Sequence, residues 1–548
     1  VRGVNAEGLQ FDGVRREFEL PDAFPAEVER EAAEATDRFA ADRRDARDIP
    51  FVTIDPPGSR DLDQAVHLER TSDGFLLHYA IADVGAFVVP DSALDLEARR
   101  RGQTVYVPDG SVPLHPRSLS EGAASLLPEQ DRPCALWTIE TDEHGVVRRR
   151  TVERAVVRSR AQLEYEHVQR AFDEGSEVPA AIAALPAFGA ARQRLAIERG
   201  AVELRLPAQD LTNDGSGWQL RLEPRTVVDA WNAECSLVTG QAAASIMIEA
   251  RIGILRTLPA ADAKADAAFR AAAAALGLSW PPNVSPGAFL ASLDDADVRT
   301  LALMSAATKL LRGSGYLAFD ARDVRDDDGP TGSQGIPADA PDTPANPPHG
   351  AADEPGSTTN GSGSAANGSG SATNGSGSAT NGSGSATNGS GSAASRRFHT
   401  LPDPTARWHA GVATEYAHAT APLRRLADRY AIELCLAAQA HIEPEPGLVA
   451  ALPEIPARMT ESSRLANAVE AACLDEAEAV VLAPHVGDVF DAAVLRPATE
   501  KHDAEIFVLD PPVIAACGGE PASGSRVRAR LVTADASTRT VRFEAVTD

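Results

Sequence analysis

Residues 326–396 constrain this 548-residue chain more than any other stretch. The unit NGSGSAT or NGSGSAA recurs there, with Asn360, Asn367, Asn374, Asn381 and Asn388 at a strict seven-residue period. A seven-residue period makes a coiled coil only when apolar residues fill its a and d positions, and here none do. Gly, Ser and Asn repeats bury too little apolar surface to offset chain entropy, so the stretch reads as a disordered insertion. Its Asn-Gly-Ser triplets match a glycosylation sequon by coincidence, since nothing directs the chain to a secretory route. Any fold must therefore be assembled from the sequence on either side of it.

Those flanks are long enough for two or three domains, and an apolar content of 43% is ample for a core. Aromatics make up only 5%, so a site built on stacking has few rings to draw on. The net charge of -27 argues against bulk attraction to nucleic acid or anionic membrane. It leaves room for a local site, because a metal-dependent nuclease needs carboxylates and can hold phosphate with a few arginines. Arginines cluster at Arg99 to Arg101, Arg148 to Arg150, and Arg424 with Arg425, while lysine occurs only at Lys264, Lys309 and Lys501. This Arg-for-Lys, Ala-rich usage reads as GC-rich coding bias. Cys134, Cys235, Cys435, Cys473 and Cys517 are far apart and form no CxxC pair, which points to buried thiols in a reducing compartment. No leader-like apolar segment opens the chain and no run of 18 apolar residues occurs, so a cytoplasmic protein without a membrane span is expected.

Apolar periodicity supplies the elements. Residues 24–45 carry a helical pattern; from 50 to about 160, β-branched runs such as FVTID, FLLHYAIADV, GAFVVP, TVYVPD and CALWTIETD alternate with turns, as in a curled mixed sheet. Residues 161–200 and 226–320 read as helical, with a hairpin over 201–223 between them. Beyond 399 come two further helical stretches, ATEYAHATAPLRRLADRYAIELCLAAQAHI and PARMTESSRLANAVEAACLDEAEAVVLAP. Residues 483–548 then switch to short alternating strands, the pattern of a small barrel of the OB type. The fold class is α+β.

Within the sheet region, VTIDPPGSRDLDQAV places Asp55 at the end of a strand and Asp61 and Asp63 just beyond a Pro-Pro-Gly turn. Asp61 and Asp63 are two apart, so extended backbone turns both carboxylates to one side. Converging hard oxygen ligands suit Mg²⁺, with Mn²⁺ as the alternative. The spacing Asp-x5-Asp-x-Asp alone fits a solvated acidic turn better than a metal site.

The segment TIDPPGSRDLDQA, followed by LHYAIADVGAFVVPDSALDLEARRRGQTVYVPDG, resembles the opening of the RNase II/RNase R (RNB) catalytic domain. RSRAQLEYEHVQ, GAVELRLP, AECSLVTGQAAASI and YAHATAPLRRLADRY resemble later motifs of that family, in the same order, across roughly residues 24–440. The resemblance implies a catalytic domain in two parts, 50–325 and 397–480, ahead of an RNA-binding OB-type domain at 483–548. The 49 preceding residues are too few for the cold-shock domains the family usually carries. It implies processive, hydrolytic 3′→5′ degradation of single-stranded RNA to nucleoside 5′-monophosphates with Mg²⁺, by a monomer. The alternative is a catalytically weakened RNA-binding protein of the same fold.

Residue by residue, the resemblance assigns Asp55, Asp61 and Asp63 to metal binding, with Asp61 and Asp63 also catalytic. Gln64 stands where the family has a fourth aspartate; an amide oxygen can ligate but carries no charge, so metal dependence shifted to higher Mg²⁺ or to Mn²⁺ is expected. Arg424 matches the arginine that stabilises charge on the scissile phosphate, and Tyr106 the tyrosine that holds the 3′-terminal nucleotide. Tyr165 and Glu234 match a pair associated with ribose recognition. Asp83 and His418 lie in matched motifs and read as structural, and Gly240 stands where the family usually has Asn. The final barrel carries seven Lys and Arg against ten Asp and Glu, so grip on RNA should rest mainly on the catalytic channel.

Overall fold

A computed structural model describes residues 9–206, 208–213, 218–223, 226–295, 297–322 and 398–546. The repeat-bearing insertion expected at 326–396 lies entirely outside the described residues.

In chain order the first strands are β1 (Arg44–Asp45), β2 (Thr53–Asp55), β3 (Gln64–Arg70), β4 (Gly74–Ala82), β5 (Val105–Val107), β6 (Gly110–Val112), β7 (Asp131–Asp142), β8 (Val147–Arg158) and β9 (Gln162–Glu164). Five of them form one sheet in the order β1-β8-β7-β4-β3, antiparallel except for the β1–β8 edge. The sequence GFLLHYAIA of β4 is apolar on both faces because both are covered. Phe75, Leu77, Tyr79 and Ile81 face one core, while Ala80 and Ala82 face a second.

Helices α1 (Asp12–Glu17), α2 (Ala26–Glu34) and α3 (Ala93–Arg101) precede the strands β5 and β6; α4 (Tyr165–Glu174), α5 (Leu185–Arg199) and α6 (Val227–Glu249) follow the sheet. Helix α6 starts at a capping box in which Thr226 and Asp229 satisfy each other's backbone N–H groups. Its Val228, Cys235, Val238 and Ala242 join the Tyr79 side of the sheet. Gly240 permits closer contact still: a Cβ there would lie 2.1 Å from the Tyr416 ring and 2.5 Å from the Ala417 carbonyl. No larger residue fits at 240.

The hairpin expected over 201–223 is β10 (Ala208–Asn213) with β11 (Trp218–Glu223). Several other expectations are corrected. The helix over 24–45 stops at Glu34, where Asp37 turns back to pair with Arg43 at 2.5 Å. GAFVVP is no strand but a tight turn over Val84–Ala86. A short apolar run cannot distinguish a strand from any other buried segment, and Val84 to Val88 are buried. The helical stretch 226–320 contains β12 (Ile252–Thr257) and β13 (Gly315–Asp320), which pair antiparallel. The helix expected from Ala413 begins only at Leu426. The thirteen residues from Ala413 to Arg425 are irregular apart from β15 (Thr414–Glu415), which pairs with β14 (Trp408–His409).

The C-terminal strands β16 (Val489–Arg496), β17 (Ala504–Leu509), β18 (Pro512–Gly518), β19 (Arg526–Asp535) and β20 (Thr540–Ala545) close into a barrel of order β16-β17-β18-β20-β19. The OB-type expectation holds. The long helix Ile455–Leu482 packs on the barrel through Val469, Cys473, Val481 and Leu482, in one cluster with Phe11, Val105 and Trp218. The barrel thus shares one apolar cluster with α1, β5, β11 and the long helix. Among the described residues no helix is long and apolar enough to cross a membrane. All five cysteines are buried free thiols.

Candidate active site

The site is built where three separated stretches of chain meet. Strand β2 pairs in parallel with β9, and the register sets Asp55 against Glu164, which places Tyr165 beside the first aspartate. The loop from Asp55 to Asp63 is pinned from outside. Leu126 N–H donates to the Leu62 carbonyl at 3.0 Å, Ser125 Oγ donates to the Arg60 carbonyl at 2.6 Å, and Gln162 Nε2 donates to the Ser59 carbonyl at 2.9 Å.

The third stretch is the irregular segment 417–425. Asp428, fully buried, accepts from the N–H groups of Thr420 and Ala421 at 2.9 and 2.8 Å and receives Arg425 bidentately at 2.6 and 2.8 Å. Arg425 is consumed in this brace. Its neighbour Arg424 remains 30% exposed and turns to the acids, with Nε 4.0 Å from Asp63 Oδ2. Backbone bonds from Thr104 N–H to the Arg424 carbonyl and from Leu426 N–H to the Gly102 carbonyl lay this segment beside β5. There Tyr106 stays 52% exposed, near enough to Arg424 for the arginine's charge to act on its hydroxyl. A ring open to solvent beside an arginine is suited to stacking a terminal base.

Electrostatically the acids are short of positive charge. Burial pushes the Asp55 carboxyl up to about 6, with the Asp61 charge adding to the effect and Arg424 opposing it. Asp61 is raised by burial, and Asp63 is raised well above the ordinary range for the same reason, against the pull of Arg424 and the Leu423 N–H. Asp55 Oδ2 is buried and has no hydrogen-bond partner. All-oxygen donors, desolvated charge and an orphaned carboxylate oxygen fit a hard divalent cation. Side chains must still draw in to hold one, since no group of three or more His, Cys, Asp or Glu among the described residues is disposed as a metal cage.

Gln64 is engaged differently. Its Nε2 donates to the Thr420 carbonyl at 2.7 Å, and its Oε1 accepts from the Tyr79 hydroxyl and from Ser236 Oγ, the latter at 3.2 Å. Tyr165 and Glu234 are likewise held by separate partners. The Tyr165 hydroxyl accepts from Asn232 Nδ2 at 2.9 Å, and the Asp55 charge acts on it. Glu234, buried, faces Arg192 Nε at 3.5 Å, and burial pushes it up to about 7. Asn232 and Arg192 were not anticipated from sequence. One signal was available: positions 232 and 234 are two apart on a helix, so they cannot share a face. Asp83, expected to be structural, pairs with Arg43 at 2.8 Å and Arg154 at 3.3 Å, and His418 Nδ1 is hydrogen bonded to Tyr316 at 2.6 Å.

The RNB domain family model matches residues 43–438, well over half of the chain, and the model for the RNase II-type exonuclease C-terminal S1 domain matches residues 488–546. The chain belongs to the RNB family. Ribonuclease R of Acidithiobacillus ferrooxidans is 37% identical over 184 residues, which is 33% of this chain and 42% of that protein. The match thus spans less than half the relative's length. Mycoplasma genitalium RNase R, solved with ribose-methylated single-stranded RNA, superposes with a TM-score of 0.75 at 15% identity, covering 98% of this chain and 77% of that one. Yeast Ssd1, described as a pseudonuclease, shares the fold with a TM-score of 0.59 at 15% identity, over 92% of this chain and 53% of its own. Fold therefore does not decide activity within the RNB architecture; the site residues must.

Proposed function

We propose that this RNB-family chain is a hydrolytic 3′→5′ exoribonuclease that degrades single-stranded RNA processively to nucleoside 5′-monophosphates. The observation that carries this reading is the meeting of Asp63, Arg424 and Tyr106 at one point, from residues that lie far apart in sequence. Tyr106 would stack the 3′-terminal base and fix the scissile phosphate near Arg424. Among the described residues Arg424 has no ion pair besides Asp63, and its planar fork suits the charge that builds on phosphoryl oxygens. Asp63, held through Oδ1 by a backbone N–H, presents Oδ2 to the same space and would take the proton of the attacking water. The Tyr165 hydroxyl, hydrogen bonded by Asn232, would read a ribose 2′-OH.

Asp55, Asp61 and Asp63 would hold the divalent cation. Bound there, Mg²⁺ (or Mn²⁺) supplies Lewis-acid polarisation of the phosphate. We place the protein in the cytoplasm, in keeping with its buried free thiols, and take it to act as a monomer.

The test is 5′-labelled single-stranded RNA and DNA incubated with Mg²⁺, Mn²⁺ or EDTA. A ladder shortening from the 3′ end, confined to RNA and abolished by EDTA, is expected. RNA binding without cleavage would instead identify a non-catalytic RNB protein, and equal cleavage of DNA would assign a different phosphoesterase.

A further inference from the structure

Gln64 occupies the fourth position of an acidic motif, yet its side chain is directed away from a ligand's task. In extended backbone, successive side chains point to opposite faces of a sheet. Gln64 heads β3 on the face of Val66 and Leu68, toward α6, while Asp63 precedes it on the other face. Tyr79 stands diagonally across on β4, where Gln64 pairs with Ile81 and Val66 with Tyr79. The amide's orientation is fixed by chemistry: the Thr420 carbonyl can only accept, so Nε2 must face it and Oε1 must face the hydroxyls. Tyr79 and Ser236, themselves 2.9 Å apart, close over that oxygen. A cation reaching Oε1 would have to displace two hydroxyls from a buried tyrosine and a helix.

Every partner of Gln64 comes from a different element. Tyr79 lies in β4, Ser236 in α6, and Thr420 in the segment that ends at Arg424. That segment is held from one side by Asp428 and from the other by Asp63, which accepts the Leu423 N–H at 2.8 Å. Gln64 supplies the one side-chain donor from the sheet to the Thr420 carbonyl among the described contacts.

Resting on the proposed role of Arg424, we propose that Gln64 is a positioning residue and not a metal ligand. Clamping Thr420 to the β3–β4–α6 junction fixes the segment that aims Arg424 at the scissile phosphate. The rate then depends on Gln64 through arginine placement, and metal affinity does not.

The test uses Gln64→Met, which keeps length and charge while removing donor and acceptor, and Tyr79→Phe as a gentler second variant. Three readouts are taken: Mn²⁺ affinity by electron paramagnetic resonance of free Mn²⁺, amide exchange over residues 417–425, and kcat on 5′-labelled RNA, each also in an Arg424→Ala background. Gln64→Met is expected to leave Mn²⁺ affinity within about twofold, accelerate exchange of the segment, and lower kcat about tenfold, as a lost hydrogen bond would. It should slow Arg424→Ala no further, whereas a general structural defect would act in both backgrounds. Tyr79→Phe should follow the same direction with a smaller effect. Mn²⁺ binding weakened about tenfold or more would make Gln64 a ligand and overturn the proposal, as would unchanged exchange or additive losses with Arg424→Ala. A wild-type protein that binds Mn²⁺ but cleaves nothing would sink the exonuclease reading, while exchange and affinity would still decide the clamp.

Discussion

The backbone N–H of Leu423 donates to Asp63 Oδ1 at 2.8 Å, across 360 residues of sequence. One carboxylate therefore serves two tasks: Oδ1 holds the segment that carries Arg424, and Oδ2 faces the Arg424 side chain at 4.0 Å.

That division predicts the outcome of Asp63→Asn. The amide retains an oxygen for the Leu423 N–H, so the segment and RNA binding should persist. The charge and basicity needed to take a proton are lost, and kcat should fall by about 10²–10⁴-fold with KM little changed. Single-turnover cleavage alongside an RNA-binding titration checks both halves.

Tyr165 and Glu234 should separate cleanly. Tyr165→Phe removes the hydroxyl that Asn232 orients, and the preference for RNA over DNA should shrink about tenfold. Glu234→Gln instead takes the counter-charge from buried Arg192 and should cost about 1–3 kcal/mol of stability with the preference intact. Denaturant melts and paired RNA and DNA cleavage rates distinguish them.

The junction between the long helix and the barrel should respond to pH. Glu478 is buried, accepts from Gln209 Nε2 at 2.6 Å, and is pushed up by burial to about 8. Its folded-state pKa lies above the unfolded value, so this contribution to stability is fully present below about pH 4.5 and is lost as pH rises toward 8. In that window the slope is about 1.4 kcal/mol per pH unit, and Glu478→Gln should flatten it. Urea melts of both proteins between pH 5 and 8 measure the difference.

Replacing residues 326–396 by a short Gly/Ser loop should leave cleavage rate and melting temperature nearly unchanged. Loop-closure entropy varies by only about 0.6 kcal/mol per halving of length. Thermal melts and the exonuclease assay on the shortened chain check this.

The chemistry-bearing residue types and the broad architecture were legible in the sequence. The resemblance to the RNB family singled out Asp55, Asp61, Asp63, Arg424 and Tyr106, and alternating strands after 483 announced a barrel that the structure closes. The strand alternation is a property of local pattern, since side-chain period and turn chemistry act over a few residues. Which atom each residue would face was decided by tertiary structure. Gln64 reads as a weakened ligand until Tyr79, Ser236 and Thr420 are seen to occupy its amide. Glu234 reads as a partner of Tyr165 until Arg192 takes it and Asn232 takes the hydroxyl. Arg424 and Arg425 look alike as neighbours, and only the buried Asp428 makes Arg425 a brace while Arg424 turns to Asp63. Such choices depend on buried polar groups finding partners from distant segments, and that pairing exists only once helices, sheet and loop have packed together.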